Sequence, residues 1–289
     1  MHRIGYTFQM MRASWEVLML DKELLIFPIL SGICCIIVLA SFAFPLINLE
    51  EGESGLLTSG GAQTEAEMQT QRALQAVVTF AFYFCNYFVI IFFNSAIIAC
   101  AVIRMKGGDP TVGMGLRAAA ARLPQIFGWA LVSATVGMIL RTLENEKRGI
   151  GPFISGLLGM AWTLLTFLVI PIMVVESKGP VAAFKDSVKL LKRTWGEQLV
   201  GNFSFGLIFF LVSLPGIAAL VIAFMIGQSG NMALAVLLGL LGVVYLVLAG
   251  LVQSTLQGIF QAAVYLSARE GQAPMSFDAG SLGSAMERR

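Results

Sequence analysis

Chemistry in this chain has few residues to draw on, and most of them lie inside long apolar runs. Gln253, Gln257 and Gln261 recur every fourth position along the last run, and Asn86 and Asn94 sit in the second. An amide buried in hydrocarbon must find a partner, so such residues either hydrogen-bond between helices or line a polar cavity. Asn86, Asn94, Gln253 and Gln257 are the candidates for a cavity between spans 2, 5 and 6. Interlocking with the glutamines, Gly250, Ser254, Gly258 and Ala262 put a small residue at every fourth position, the pattern of a close-packing helix seam. Arg141 stands near the end of the third run, with Glu144 and Glu146 close enough for local pairing.

Catalytic constellations are missing. The single histidine is His2, which removes histidine-based acid/base chemistry and zinc from serious consideration. Cys34, Cys35, Cys85 and Cys100 all fall in apolar runs and read as small packing residues. No nucleophile elbow, zinc-protease motif, phosphate loop or Cys-x-x-Cys pair occurs. The expectation is therefore no catalytic residue, no metal and no cofactor, in a protein that is not an enzyme.

A second kind of candidate is basic. Over Pro180–Trp195, read as a helix, Val181, Phe184, Val188, Leu191 and Trp195 share one face, and Lys185, Asp186, Lys189, Lys192 and Arg193 share the other. Aromatics on one side and lysines on the other suit a membrane interface. Near the N-terminus, Ile4, Phe8, Met11, Trp15 and Leu18 repeat the pattern, and Val112, Leu116, Ala119, Ala120 and Leu123 form a weaker version. Trp15, Lys185, Lys189, Lys192, Arg193 and Trp195 are thus the candidates for contact with anionic lipid headgroups, a protein partner or a second copy of the chain.

The elements that carry these residues follow from composition. Of 289 residues, 57% are hydrophobic and 12% charged; soluble domains carry about 25% charged residues, so this is an integral membrane protein. A net charge of +2, with the basic residues confined to a few loops, gives no reason to expect nucleic acid. Six runs reach the ~20 residues that a spanning helix needs: Leu24–Ile47, Ala73–Ile103, Leu123–Leu143, Phe153–Val175, Leu199–Ile226 and Met232–Leu266. None contains Asp, Glu or Lys. The second and last are longer than a hydrocarbon core of about 30 Å requires, so they must tilt, bend or project. Pro171 and Pro215-Gly216 are expected to bend spans 4 and 5.

Fifteen of the nineteen Lys and Arg residues fall on one side of this arrangement, which assigns that side and both termini to the cytoplasm. The Glu50–Arg72 segment then lies outside and, rich in Gly, Ser and Thr, reads as a loop. The first run starts too late and is too long for a cleaved signal peptide. The expected fold is all-α: one domain over 1–270, a bundle of six transmembrane helices with two or three amphipathic helices on the cytoplasmic face, and a short disordered tail over 271–289. Each amphipathic segment precedes an outward-going span, a pattern that fits either a diverged threefold repeat or convergence.

Two stretches carry a family resemblance. Ser14-Trp15-Glu16-Val17-Leu18 followed by Asp21-Lys22-Glu23-Leu24-Leu25-Ile26-Phe27-Pro28 resembles the opening of an uncharacterised family of six-span bacterial membrane proteins. Pro171-Ile172-Met173-Val174-Val175-Glu176, with Gly179-Pro180, Ala183 and Ser187, is similar to a second signature of that family. That signature also occurs in the membrane domain attached to some glycerophosphodiester phosphodiesterases. The resemblance implies the fold and a place in the bacterial inner membrane, and brings no catalytic residue with it. Function is expected to lie in organising or binding a partner or anionic lipid at the cytoplasmic face; the alternative is transport of a small solute or lipid.

Overall fold

Backbone amides in hydrocarbon have no water to bond, so apolar runs of this length fold as helices that satisfy their own hydrogen bonds. The computed structural model describes residues 12–56, 65–144 and 151–270, with the backbone alone at 44–56, 67, 151, 193–205 and 270. No strand occurs among them. Helix α1 covers residues 12–20 and leads through a 3-10 turn, Lys22–Leu25, into α2, Ile26–Leu56. Then come α3 (Glu65–Met105), α4 (Val112–Ala120), α5 (Leu123–Glu144), α6 (Gly151–Thr166), α7 (Val169–Glu176), α8 (Pro180–Gln228) and α9 (Met232–Glu270). Six stretches are long and apolar enough to cross a membrane: Lys22–Ala43, Met68–Met105, Leu123–Glu144, Pro152–Glu176, Gly206–Gln228 and Met232–Arg269. The 271–289 tail and the start of the N-terminal stripe (Ile4, Phe8 and Met11) lie outside the described residues.

Two expectations need correction. The Glu50–Arg72 segment is largely helical: α2 runs on to Leu56 and α3 begins at Glu65. Pro180–Trp195 is not a separate surface helix. It is the first part of α8, 49 residues continuous with span 5, or roughly 74 Å. The side of this part of α8 that packs on the protein overlaps its apolar stripe only in part. Ala183, Ser187 and Leu190 are buried, whereas Val181 is 64% exposed. Phe184 does turn inward, where it stacks with Trp129 of α5 and Trp162 of α6.

Span 3 begins as the sequence suggests, with Pro124 in the first turn of α5. Span 4 is broken into α6 and α7 at Phe167-Leu168, immediately before Pro171. Proline has no N–H for the carbonyl four residues earlier and crowds it sterically. The break is buried, so the interrupted ladder needs a donor from elsewhere. Ser187 supplies one, its hydroxyl donating to the Leu165 carbonyl at 2.7 Å. This gives Ser187 of the second signature a structural role. Span 5 answers its proline without breaking. Around Pro215, Tyr245 of α9 donates its hydroxyl to the Val212 carbonyl at 2.7 Å. Gly216 admits that approach, since a Cβ there would sit 2.7 Å from Leu246.

Span 2 is the hub. In its most apolar window 56% of residues are buried inside the protein, against 17% for spans 1 and 5 and 11% for span 6. The core concentrates at one end of the bundle, where Ile97, Ile98 and Cys100 of α3 meet Phe27, Ala119, Ile126, Ile172 and Phe260. Helix α4, capped by the Thr111 hydroxyl accepting from Met114 N, lies on α3 there. Gly115 makes this packing close: a Cβ would stand 2.6 Å from Cys100 Sγ and 2.7 Å from Phe27.

Candidate functional site

The same end of the bundle gathers the charge. Asp21, at the end of α1, forms a two-pronged ion pair with Arg104 at the end of α3, and Arg104 also reaches Asp109 at 2.5 Å. Glu176, at the end of α7, accepts from Arg269 Nε at 2.8 Å and Nη2 at 2.6 Å, and from the Tyr265 hydroxyl at 2.9 Å. Lys178 bridges Glu176 at 2.7 Å and Asp186 at 2.5 Å. The ends of spans 4 and 6 and the beginning of α8 are thereby tied together. Lys178 holds its proton more firmly than an ordinary lysine because Asp186 and then Glu176 accept from it. Asp186 is correspondingly held below the usual aspartate range, chiefly by the bond from Lys178.

Beside this network lies a hollow of about 390 Å³ lined by Asp186, Lys189, Leu190, Lys192 and Arg269. Three cations face one carboxylate. Helical periodicity places Lys189 and Lys192 three residues apart on α8, and α9 brings Arg269 alongside, 3.9 Å from Asp186. Such a set suits an oxyanion, whose charge two lysines meet as mobile point charges and an arginine as a planar fork. Of the candidates at this face, Lys185, Lys189 and Lys192 are exposed, and Trp15 is exposed on α1. The side chains of Arg193 and Trp195 lie outside the described residues. Arg269 joins residues that the sequence places together on the polar face of α8, and it is not predicted because no local pattern links α8 to a residue at the far end of α9.

The amide candidates separate into two groups. Asn94 and Gln257 do line a common cavity, about 240 Å³, together with Gln261, Ser31 and Ser254. It lies between spans 1, 2 and 6, not between spans 2, 5 and 6 as expected, because span 6 packs on span 2 through the small-residue seam. A Cβ on Gly258 would sit 2.7 Å from Ile97 and 3.0 Å from Asn94 Oδ1. Asn86 is instead bonded to its own helix, donating to the Phe82 carbonyl at 2.9 Å. Neither Asn86 nor Gln253 lines this cavity. Gly250, at the other end of the seam, meets no neighbour. Arg141 finds its partner across helices, donating to the Tyr83 hydroxyl at 2.8 Å. Among the described residues no cluster of three or more His, Cys, Asp or Glu could hold a metal ion. Cys100 is buried in the α3–α4 contact, within 3.6 Å of the Thr111 carbonyl.

A polytopic all-α bundle with a basic end is the class that this architecture defines. The chain belongs to a family of unknown function, DUF6159, which matches residues 73–275. The second signature lies within the matched stretch and the first, at 14–28, precedes it. No curated protein matches the chain.

Proposed function

We propose that this is a non-catalytic bacterial inner-membrane protein whose cytoplasmic face binds the anionic headgroup of a membrane lipid and so organises its surroundings. The observation that carries this reading is the hollow where Lys189, Lys192 and Arg269 converge from α8 and α9. Basic side chains at a membrane surface attract anionic lipid by about 1 kcal/mol each. The Glu176–Arg269 and Lys178–Asp186 ties hold the walls of the hollow in place, so little ordering is left for binding to impose. Fifteen of nineteen basic residues on one side support a cytoplasmic position for that face and both termini. Exposed Trp15, on an amphipathic α1, suits the interface.

Of the four predicted transport residues, Asn94 and Gln257 line a groove between spans 1, 2 and 6, whereas Asn86 and Gln253 do not line it. Lipid binding is therefore preferred to solute transport. The test is retention of phosphatidylglycerol against phosphatidylcholine by the purified protein in mixed-lipid nanodiscs. The double variant Lys189→Gln, Lys192→Gln should weaken the anionic preference by about 30-fold, from about 1 kcal/mol per charge. An unchanged preference would remove the basis for this function and leave the lysines as topology determinants.

A further inference from the structure

The groove between spans 1, 2 and 6 is a second site of different chemistry. Gln261 lies along it with only 9% of its surface exposed, and its Oε1 is sealed in the protein with no hydrogen-bond partner. A buried acceptor without a donor is costly, and the terminal amide of glutamine turns about a soft torsion. A ligand donor in the groove would let that amide turn outward and be satisfied. Gln257 and Asn94 add two further amides, each with donor and acceptor sites, and Ser31 and Ser254 add hydroxyls. No ionisable side chain lines the groove.

Depth and size narrow the occupant. Gln261 lies eight residues before Arg269 and Asn94 ten before Arg104, so the groove is about 12–15 Å inward of the charged ends. A phosphate drawn that far into hydrocarbon would lose its hydration with no cation to meet it. The rim includes exposed Ile90 and Ser254, which gives access sideways from lipid. A volume of about 240 Å³ is below the ~300 Å³ of pockets that enclose a whole small ligand, so it takes a polar head whose chains stay in the bilayer. We infer that this groove binds an uncharged lipid alcohol of the diacylglycerol type, its free hydroxyl donating to Gln261 and accepting from Gln257 or Asn94. This site stands independently of the basic hollow.

The test uses the full chain in phosphatidylcholine nanodiscs with a photoreactive diacylglycerol. Label is expected on α3 and α9 peptides around Asn94 and Gln257. Unlabelled diacylglycerol should compete about tenfold better than its methyl ether, which lacks the donor, since one hydrogen bond is worth about that factor. Gln261→Leu and Ser254→Phe should each cut labelling about tenfold on the same basis; Ser254 is exposed, so its variant reads the site even if the buried one fails to fold. Equal competition by the ether, label elsewhere on the chain, or wild-type labelling of Ser254→Phe would each overturn the assignment.

Discussion

Ser187 and Asp186 are adjacent on α8 and do unlike work. Ser187 faces inward and supplies the donor that the buried break in span 4 lacks. Its replacement by alanine removes the donor and leaves the Leu165 carbonyl in an apolar setting, a loss of about 1–3 kcal/mol. Thermal unfolding of purified Ser187→Ala in detergent should show a lowered midpoint; an unchanged one would mean that the break is satisfied without it. Asp186 faces the hollow, where it meets Lys178, Lys189 and Arg269, with Glu176 behind them. Its pKa is depressed in the folded protein, so the stability it contributes is fully present above the unfolded value near about 4. That contribution is lost as pH falls through the lower folded value. Asp186→Asn imitates the protonated state at neutral pH and separates two consequences. The unfolding midpoint should fall as the tie to Lys178 goes. Retention of anionic lipid should rise about fivefold, because one negative charge, worth about 1 kcal/mol, leaves the hollow. A drop in retention would show that Asp186 helps to hold the lipid instead of opposing it.

At the scale of elements, what was legible in the sequence divides along a physical line. The spans could be read because length and hydropathy are what a bilayer demands. The packed faces could not be read from apolar stripes. Lipid is as apolar as leucine, so an apolar side chain gains nothing by turning inward. Val181 of the apolar stripe is exposed from the protein, whereas Ala183 and Ser187, small and unremarkable in hydropathy, are buried. Small residues were the better guide: Gly258 of the predicted seam does meet Ile97 and Asn94. Half of the amide site was legible for the same reason, since Asn94 and Gln257 flank that seam. Their third partner was assigned to span 5 and is span 1, a choice that periodicity within one helix cannot make. Gly115 gives the element-level test. Gly115→Val would force α4 away from Cys100 and Phe27, and overpacking of this kind costs about 1–3 kcal/mol. Protease access to the α3–α4 connection should rise in that variant, while Gly32→Val, where a Cβ meets nothing, should match wild type. Equal protection of both would mean that α4 docks more loosely than the contact implies.

For the whole molecule, the charge asymmetry and the packing asymmetry coincide. The ion pairs Asp21–Arg104, Glu176–Arg269 and Lys178–Asp186 fix the ends of α1, α3, α7 and α9 and the start of α8 at one end of the bundle, which is also where the core is densest. At the other end the span 5–span 6 hairpin is largely exposed, with Phe224, Met225, Leu237 and Leu240 all bare. Surfaces of that kind are covered by lipid or by another protein, so the bundle is tied together at its basic end and depends on its surroundings at the other. Translocation favours keeping lysine and arginine in the cytoplasm, and the tied end carries them. The proposed orientation, with the basic end in the cytoplasm, can be tested directly. In a background with Cys34, Cys35, Cys85 and Cys100 replaced by alanine, a cysteine at Lys185 should react with a membrane-impermeant maleimide only after permeabilisation. A cysteine at Thr142, exposed near the opposite end of α5, should react in intact cells once the outer barrier is opened. The reverse pattern would put the basic hollow on the outer face, where the anionic lipid would have to come from the opposite leaflet.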